Sequence, residues 1–448
     1  MRLLYVANGF PPTALGGVEV YTYEVALAMQ RRGHDVWVFC RESDFSRPDY
    51  TLFRDEVHGI PVLRAVNDFK NATRFSHLYE DDRIEILFRE ILLEVRPDLV
   101  HFQHLIALSA RLPEIASQMG YPALMSLHDF WPLCHRVHLM DRWGRVCPGP
   151  FQGGDCVRCV FGSGEGSGLL TWLRRLGLGA PPSIRRWWAR RRGGAPFLPW
   201  PSEGKGSFQL RHRAFQAACH GCRLLLAPSA FVREVFMQNG WGETEIQVLP
   251  LGIAFPEGDS IAERKPPADI GLRIGYIGWF QPQKGVHLLL KAFRRLPGAH
   301  VSLHLFGPFD PAHPYAHSLQ AEIRQDPRVH IHGPFPPEDR PRVYAQLDVL
   351  VIPSLSPETF SRVAREALAY GVPVIASRVG ALTEVVMDGV NGYTFPPGDE
   401  EALWRILEEL AQDPDRLRSL DLPGPVPLLS VEAHVQALEQ IYQELLSG

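Results

Sequence analysis

Short runs of apolar, β-branched residues alternate along this chain with stretches whose apolar positions recur every three or four residues. In the first half, residues 3–7 read as a strand, 18–32 as a helix and 36–40 as a second strand. The rhythm restarts after residue 270, with strands at 273–277, 300–306, 329–332, 349–352 and 373–376. Helical patterns at 286–295, 340–346 and 361–370 lie between them. Such alternation predicts parallel strands joined by helices, twice over, and hence two doubly wound α/β domains facing a cleft. The polar, proline-bearing stretch 255–267 reads as the linker, which sets the domains at 1–255 and 268–428. A final helix at 429–448 places Val435, Leu438, Ile441, Tyr442 and Leu445 on one face. That face must dock; the N-terminal domain is one candidate, although the pattern itself does not name the receiver.

Composition narrows the class. With 448 residues, 45% of them hydrophobic and 21% charged, the chain has the make-up of a soluble globular protein, and two domains suit its length. No apolar run approaches the roughly 20 residues needed to cross a bilayer. The apolar start at residues 1–7 is too short for a signal peptide and reads as the first strand. A net charge of −4 gives no whole-molecule case for nucleic acid. Seven cysteines without an export signal suggest a reducing, cytoplasmic setting.

The richest chemistry lies in residues 353–377, which read as a loop after a parallel strand, then a helix, then another strand. A loop at the carboxyl end of a strand turns backbone N–H groups and a helix dipole toward an anionic or hydroxyl-rich ligand. Glu358 sits at that mouth, and Glu366 follows in the second turn, from which a helical side chain leans back toward the N-terminus. Two carboxylates could then accept hydroxyl hydrogen bonds at two depths; either alone would pass for an ordinary helix-end or surface acid. Lys284 precedes the helix at 286, where an ammonium could meet a diphosphate. In the first half, Gly16 and Gly17 follow the first strand and open a helix, so their amides could approach a phosphate. His128 ends the apolar run 123–127 and could contact a substrate hydroxyl. Neither glycine cluster is a G-x-G-x-x-G fingerprint, so a nicotinamide dehydrogenase is poorly supported. There is also no Asp-x-Asp placed to bridge a diphosphate through a divalent ion, so no catalytic divalent metal is expected.

The segment from Glu358 to Glu366 resembles the E-x7-E motif of family 4 retaining glycosyltransferases, a group with the GT-B fold of two Rossmann-like domains. The resemblance extends over nearly the whole chain through Gly16-Gly17-Val18-Glu19, His128-Asp129, Ala227-Pro228-Ser229, Lys284-Gly285 and residues 380–392. It implies transfer of a sugar from a nucleotide-sugar donor, UDP- or GDP-linked, to a saccharide, lipid-linked or other hydroxyl acceptor. It further implies that Glu366 holds the ribose hydroxyls and that Glu358, with Thr359, Phe360 and Ser361 beside it, contacts the donor sugar. Lys284 would take the diphosphate, and His128 a sugar. The implied mechanism retains anomeric configuration, the departing diphosphate helping to deprotonate the incoming hydroxyl on the same face. Two departures stand out: Trp279 occupies the place of an arginine that usually accompanies the lysine, and Ser361 that of a common glycine. They motivate a competing reading, a non-catalytic sugar-nucleotide-binding subunit, and a nucleotide-sugar epimerase or hydrolase using the same two-domain cleft is another.

Cys134, Cys147, Cys156 and Cys159 fall within a glycine-rich loop at 134–159 and end in a C-x-x-C pair. Four soft ligands suit a closed structural zinc site, with free thiols and disulfide or iron–sulfur chemistry as the other readings. The loop would mark a subgroup of the family. Cys219 and Cys222 form a second C-x-x-C that reads as packing. Residues 165–210 form a basic insertion, in which 172–200 carry seven arginines and no acid. That composition suits either peripheral contact with an anionic inner membrane face or a solvated insertion.

Overall fold

The structure is a computed structural model that describes residues 1–150, 155–161, 205–255, 271–298, 300–310 and 313–447. The basic stretch 172–200 and nearly all of the expected linker lie outside the described residues. The chain divides into two compact units. The first comprises Met1–Arg142, Cys147–Pro250 and Val431–Gly448, and the second Trp143–Val146 and Leu251–Ser430.

Among the described residues the first unit carries an eight-stranded sheet. Its strands are β1 (Arg2–Ala7), β2 (Asp35–Glu42), β3 (Leu52–Val57), β4 (Ile60–Val66), β5 (Leu99–Phe102), β6 (Ala123–Ser126), β7 (Leu224–Ala227) and β8 (Ile246–Val248). The spatial order is β3-β4-β2-β1-β5-β6-β7-β8, parallel except for the antiparallel β3–β4 hairpin. β1 pairs in register with β2 on one side and β5 on the other, Leu3 facing both Val36 and Leu99. Buried on both faces by helices, β1 is apolar at every position after Arg2, as a central parallel strand must be. The winding reverses between β1 and β5, so loops leaving their carboxyl ends splay apart and open a crevice there.

The second unit repeats the plan with β9 (Leu272–Ile277), β10 (Val301–Phe306), β11 (Val329–Gly333), β12 (Val349–Ile352), β13 (Val374–Ser377) and β14 (Gly392–Phe395). All six strands are parallel in the order β11-β10-β9-β12-β13-β14, and the reversal falls between β9 and β12. The expected strands all form, with ends displaced by one residue in four of the five. Each unit is therefore a doubly wound parallel α/β layer structure.

The C-terminal helix Val431–Ser447 belongs to the first unit. Val435, Leu438, Ile441 and Tyr442 are buried, whereas Leu445 is only half-buried. The docked face is also polar in part. Tyr442 Oη lies 3.1 Å from Tyr5 Oη and 2.7 Å from His101 Nδ1. His434 Nε2 meets Tyr21 Oη at 2.6 Å. Buried hydroxyls and imidazoles that answer one another in this way fix the helix register in a manner apolar contacts alone do not.

Candidate functional site

In the second unit the site grows from the two strand ends at the winding reversal. After β9 the chain enters a tight turn, Pro282–Lys284, closed by Gly285 at φ +70°. A Cβ at residue 285 would stand 1.9 Å from the Pro353 carbonyl oxygen, so only glycine permits this approach. Leu355 N–H donates to the Gln283 carbonyl at 2.8 Å and ties the same turn to the loop after β12. That double tether delivers Lys284 to Glu358, with Nζ 2.7 Å from Oε1. Ser354 Oγ donates to the same carboxylate oxygen. From the other side, Gly380 at φ +61° lies against the Glu358 backbone, and Ala381 N–H donates to the Glu358 carbonyl at 2.8 Å. Glu358 is thus held at both side chain and backbone. Lys284 keeps about a third of its side chain exposed (33%) against 14% for Glu358, so a ligand can reach the ammonium.

Glu366 is more deeply set. Tyr344 Oη donates to its Oε2 at 3.2 Å, Arg340 Nε lies 3.9 Å from the same oxygen, and an Arg362 amino group lies 3.7 Å from Oε1. Burial, followed by the Glu366 charge, pushes the Tyr344 hydroxyl well above its usual range and keeps it a donor. The expectation that Glu366 is an open acceptor therefore needs amending: its oxygens already have partners, and a ribose would have to join or exchange with them. Phe360, expected beside the donor sugar, has its ring turned into the protein. Its ring is buried beneath the Arg365 guanidinium, 3.7 Å from the ring centroid, and the same arginine donates to the Phe360 carbonyl. Burial depresses Arg365 to about 10. Phe360 and Arg365 brace the loop from behind while Thr359, half-buried, stays at the front. Ser361 caps the helix Arg362–Ala369 from the left-handed region at φ +57°, which explains why glycine would suit that position. Trp279 is 47% exposed, its carbonyl fixed by the Tyr276 hydroxyl at 2.7 Å.

In the first unit, Gly16 caps the helix Gly17–Arg31. A Cβ on Gly16 would lie 2.3 Å from Glu19 Oε2, whereas one on Gly17 would meet nothing within 4 Å. The glycine pair thus makes room for a carboxylate, and a phosphate at Gly16 would meet the Glu19 charge. The loop after β1 is fastened by Arg64, which is 1% exposed and bridges the Phe10 and Pro11 carbonyls to Glu42 and Asp55. His128 is buried after β6, its Nε2 2.7 Å from Gln103 Oε1 and its ring edge-on to Tyr21. Beside it, His104 Nε2 pairs with Asp129 Oδ2 at 2.8 Å. Burial opposes both charges, but their mutual attraction prevails, raising His104 and lowering Asp129.

The four-cysteine metal set expected from spacing is not assembled: among the described residues no group of three or more His, Cys, Asp or Glu side chains is gathered to hold a metal ion. The thiols do share a neighbourhood. Burial, then the charges of Cys134 and Cys147, pushes Cys156 up to about 12, and burial also raises Cys134 and Cys147. Cys219 and Cys222 are buried in the apolar core, as the packing reading expects.

Sequence reasoning missed Ser354, Tyr344, Arg340, Arg365, Gln103 and Arg64. Only Arg362 carried a local signal, its i,i+4 spacing to Glu366. Ser354 and Arg365 stand only four and five positions from the groups they hold, within the segment read from the sequence, whereas Tyr344 and Gln103 reach Glu366 and His128 across 22 and 25 positions.

Residues 15–149 match the family model described as Glycosyltransferase Family 4, and residues 271–413 the one described as Glycosyl transferases group 1. Each of the two models matches under a third of the chain, one in each half. Among curated relatives, a D-inositol 3-phosphate glycosyltransferase of Nocardia farcinica is 33% identical over 222 residues, 45% of this chain and 47% of the relative. An MMP alpha-(1->4)-mannosyltransferase of Mycolicibacterium hassiacum is 34% identical over 200 residues, 44% and 47% of the two chains. The chain therefore matches about half the length of these curated relatives. Among solved structures, the sucrose-phosphate synthase of Thermosynechococcus elongatus superposes with a TM-score of 0.65 at 19% identity, over 100% of both chains. The Anabaena HepE protein in complex with UDP and glucose gives 0.63 at 18%, over 99% of both. The glycosyltransferase domains have the GT-B fold.

Proposed function

We propose that the chain transfers a sugar, with retention of anomeric configuration, from a UDP- or GDP-linked donor to a saccharide, lipid-linked or other hydroxyl acceptor. The observation that carries this reading is the Lys284–Glu358 contact of 2.7 Å, set at the winding reversal of the second unit by turns that only glycine allows. An exposed ammonium there is suited to the negative charge that develops on a departing diphosphate, and one such donor contributes about 3 kcal/mol in a preorganised site. Glu358, once its lysine turns to the diphosphate, becomes an acceptor for donor-sugar hydroxyls. Glu366, oriented by Tyr344 and flanked by two arginines, is the ribose ligand. The chemistry asked of the protein is electrostatic, and the reading assigns no catalytic divalent ion. HepE, solved with UDP-glucose, supports a uridine donor by analogy. His128 in the first unit would contact a sugar, and Gly16 and Gly17 shape its loop. In this reading the cysteine loop marks a distinct subgroup of the family, and a cytoplasmic site of action, with 172–200 against the inner membrane face, completes it.

The test is twofold. Calorimetric titration with UDP and GDP should show binding to one of them that Glu366→Ala weakens at least tenfold. Proton NMR of the product formed with the matching nucleotide sugar should show the donor's own anomeric configuration. Unchanged nucleotide affinity in Glu366→Ala, or an inverted product, would overturn the assignment.

A further inference from the structure

The first unit holds a pair of polar atoms that the sugar-transfer reading does not use. Gln103, 1% exposed, spends its Oε1 on His128, and its amide nitrogen is buried with no hydrogen-bond partner. Asn8 mirrors it: Nδ2 donates to Glu19 Oε1 at 2.8 Å, and Oδ1 is buried without a partner. The two residues leave the carboxyl ends of adjacent parallel strands, β1 and β5, at the winding reversal. Gln103 N–H donates to the Val6 carbonyl at 2.7 Å, two residues before Asn8, which binds the two strand ends together. Buried polar atoms left unanswered are costly and uncommon in native proteins, so two of opposite kind on neighbouring strand ends point to a ligand.

We infer that Gln103 and Asn8 read a hydroxyl of a neutral polyhydroxy compound, and that Gln103 also positions His128. A hydroxyl both donates and accepts, and so answers an orphan N–H and an orphan carbonyl oxygen together. An ionised phosphate offers acceptors only. It would leave Asn8 Oδ1 unanswered and would face the carboxylates of Glu19 and Asp129, the latter held ionised by His104. The positioning role follows from the same amide. Because Oε1 only accepts, the contact requires a hydrogen on His128 Nε2 and so orients the ring. Turning the amide over would leave two orphan oxygens instead of a donor and an acceptor, so the inference requires the orientation in which Oε1 accepts from His128 Nε2. This inference rests on the first unit taking up a hydroxyl-bearing substrate; it does not depend on which nucleotide the second unit holds.

The experiment uses the full chain and its Gln103→Leu and Gln103→Glu variants, titrated with methyl α-glucoside, methyl α-mannoside and myo-inositol, and separately with UDP and GDP. Wild type should bind at least one neutral polyol, and Gln103→Leu should lose that binding at least tenfold while nucleotide affinity stays within twofold. Gln103→Glu keeps the shape and places an anion against His128, whose pKa, followed by NMR, should rise by at least one unit. Equal polyol affinity in wild type and Gln103→Leu, absence of polyol binding in wild type, or an unmoved His128 in Gln103→Glu would overturn the inference. Loss of nucleotide binding in wild type would instead overturn the sugar-transfer reading. Should Gln103→Leu fail to fold, Asn8→Ala serves in its place with the same expected loss.

Discussion

The two units share one strand plan but equip its reversal point in opposite ways. In the second, each carboxylate is answered from within: Glu358 by Lys284 and Ser354, Glu366 by Tyr344 with two arginines nearby. In the first, the strand ends carry the His104–Asp129 pair together with carboxamides, and halves of two of those carboxamides are left unanswered. The difference teaches what each mouth is built to meet. A charged ligand can be admitted by exchanging partners within an existing ion pair, which keeps the site paired when empty and avoids a buried lone charge. On the proposed reading a neutral hydroxyl reaches such a carboxylate only after its cation has turned to the diphosphate. In the first unit it binds where an unpaired amide already waits.

The largest effect that would break this contrast concerns Lys284. If the second mouth works by exchanging the lysine from Glu358 to a diphosphate, Lys284→Met removes the only contribution aimed at the developing charge by that side chain. Turnover should fall by about 10²–10³, the range for loss of one preorganised donor. Steady-state rates with the nucleotide sugar that binds best provide the check. A loss below tenfold would mean that the ion pair is structural.

A smaller effect separates the mouths by pH. The first unit has a titrating pair, His104 with Asp129. His104 is raised, so its contribution is fully present below its unfolded value near 6.5 and is lost as pH rises through the raised folded value. Asp129 is lowered, so its contribution is present above its unfolded value near 3.9 and is lost as pH falls through the lowered one. Together they stabilise most between about pH 4 and 6.5. Asp129→Asn keeps an acceptor for the Trp131 N–H but removes the charge. Its melting temperature should lie about 2–4 °C below wild type near pH 6, for a loss of roughly 1 kcal/mol in a unit of this size. The gap should close above pH 8. A gap that holds steady across that range would assign the pair to packing.

How much of this was legible in the sequence depends on how far each contact reaches along the chain. Both doubly wound sheets could be read, because a strand buried on two faces writes a continuous apolar run. The placement of Glu358 and Lys284 at strand ends was legible for the same reason. What closes on them was not. Tyr344 meets Glu366 across 22 positions and Gln103 meets His128 across 25, and neither residue stands in a periodic pattern. The cysteine loop misled in an instructive way. Spacing shows that four thiols are near one another in sequence, and the structure keeps them near in space, but spacing says nothing about whether they stay protonated. Burial raises the thiols of Cys134, Cys147 and Cys156, and among the described residues no group of three or more such side chains is gathered to hold a metal ion. Gly16 carried a similar ambiguity: room beside a glycine fits a phosphate or a carboxylate equally, and here Glu19 takes it.

The smallest effect sharpens the second mouth alone. Ser361 holds φ +57° at the start of the helix that carries Glu366, a conformation that costs an L-residue about 1–2 kcal/mol and glycine almost nothing. Glycine, in turn, has more backbone freedom to lose on folding, by about 0.5–1 kcal/mol. The balance favours Ser361→Gly by about 0.5 kcal/mol, or 1–2 °C in melting temperature. A β-branched residue faces the same backbone with a stiffer side chain, so Ser361→Val should move the other way by a larger margin. If serine were held there by a ligand-facing hydroxyl, Ser361→Gly would weaken nucleotide-sugar binding while stabilising the chain. If the strain is merely tolerated, stability rises and affinity is unchanged. The rear brace argues for the second outcome, because Arg365 holds the neighbouring Phe360 carbonyl and ring whatever side chain residue 361 carries.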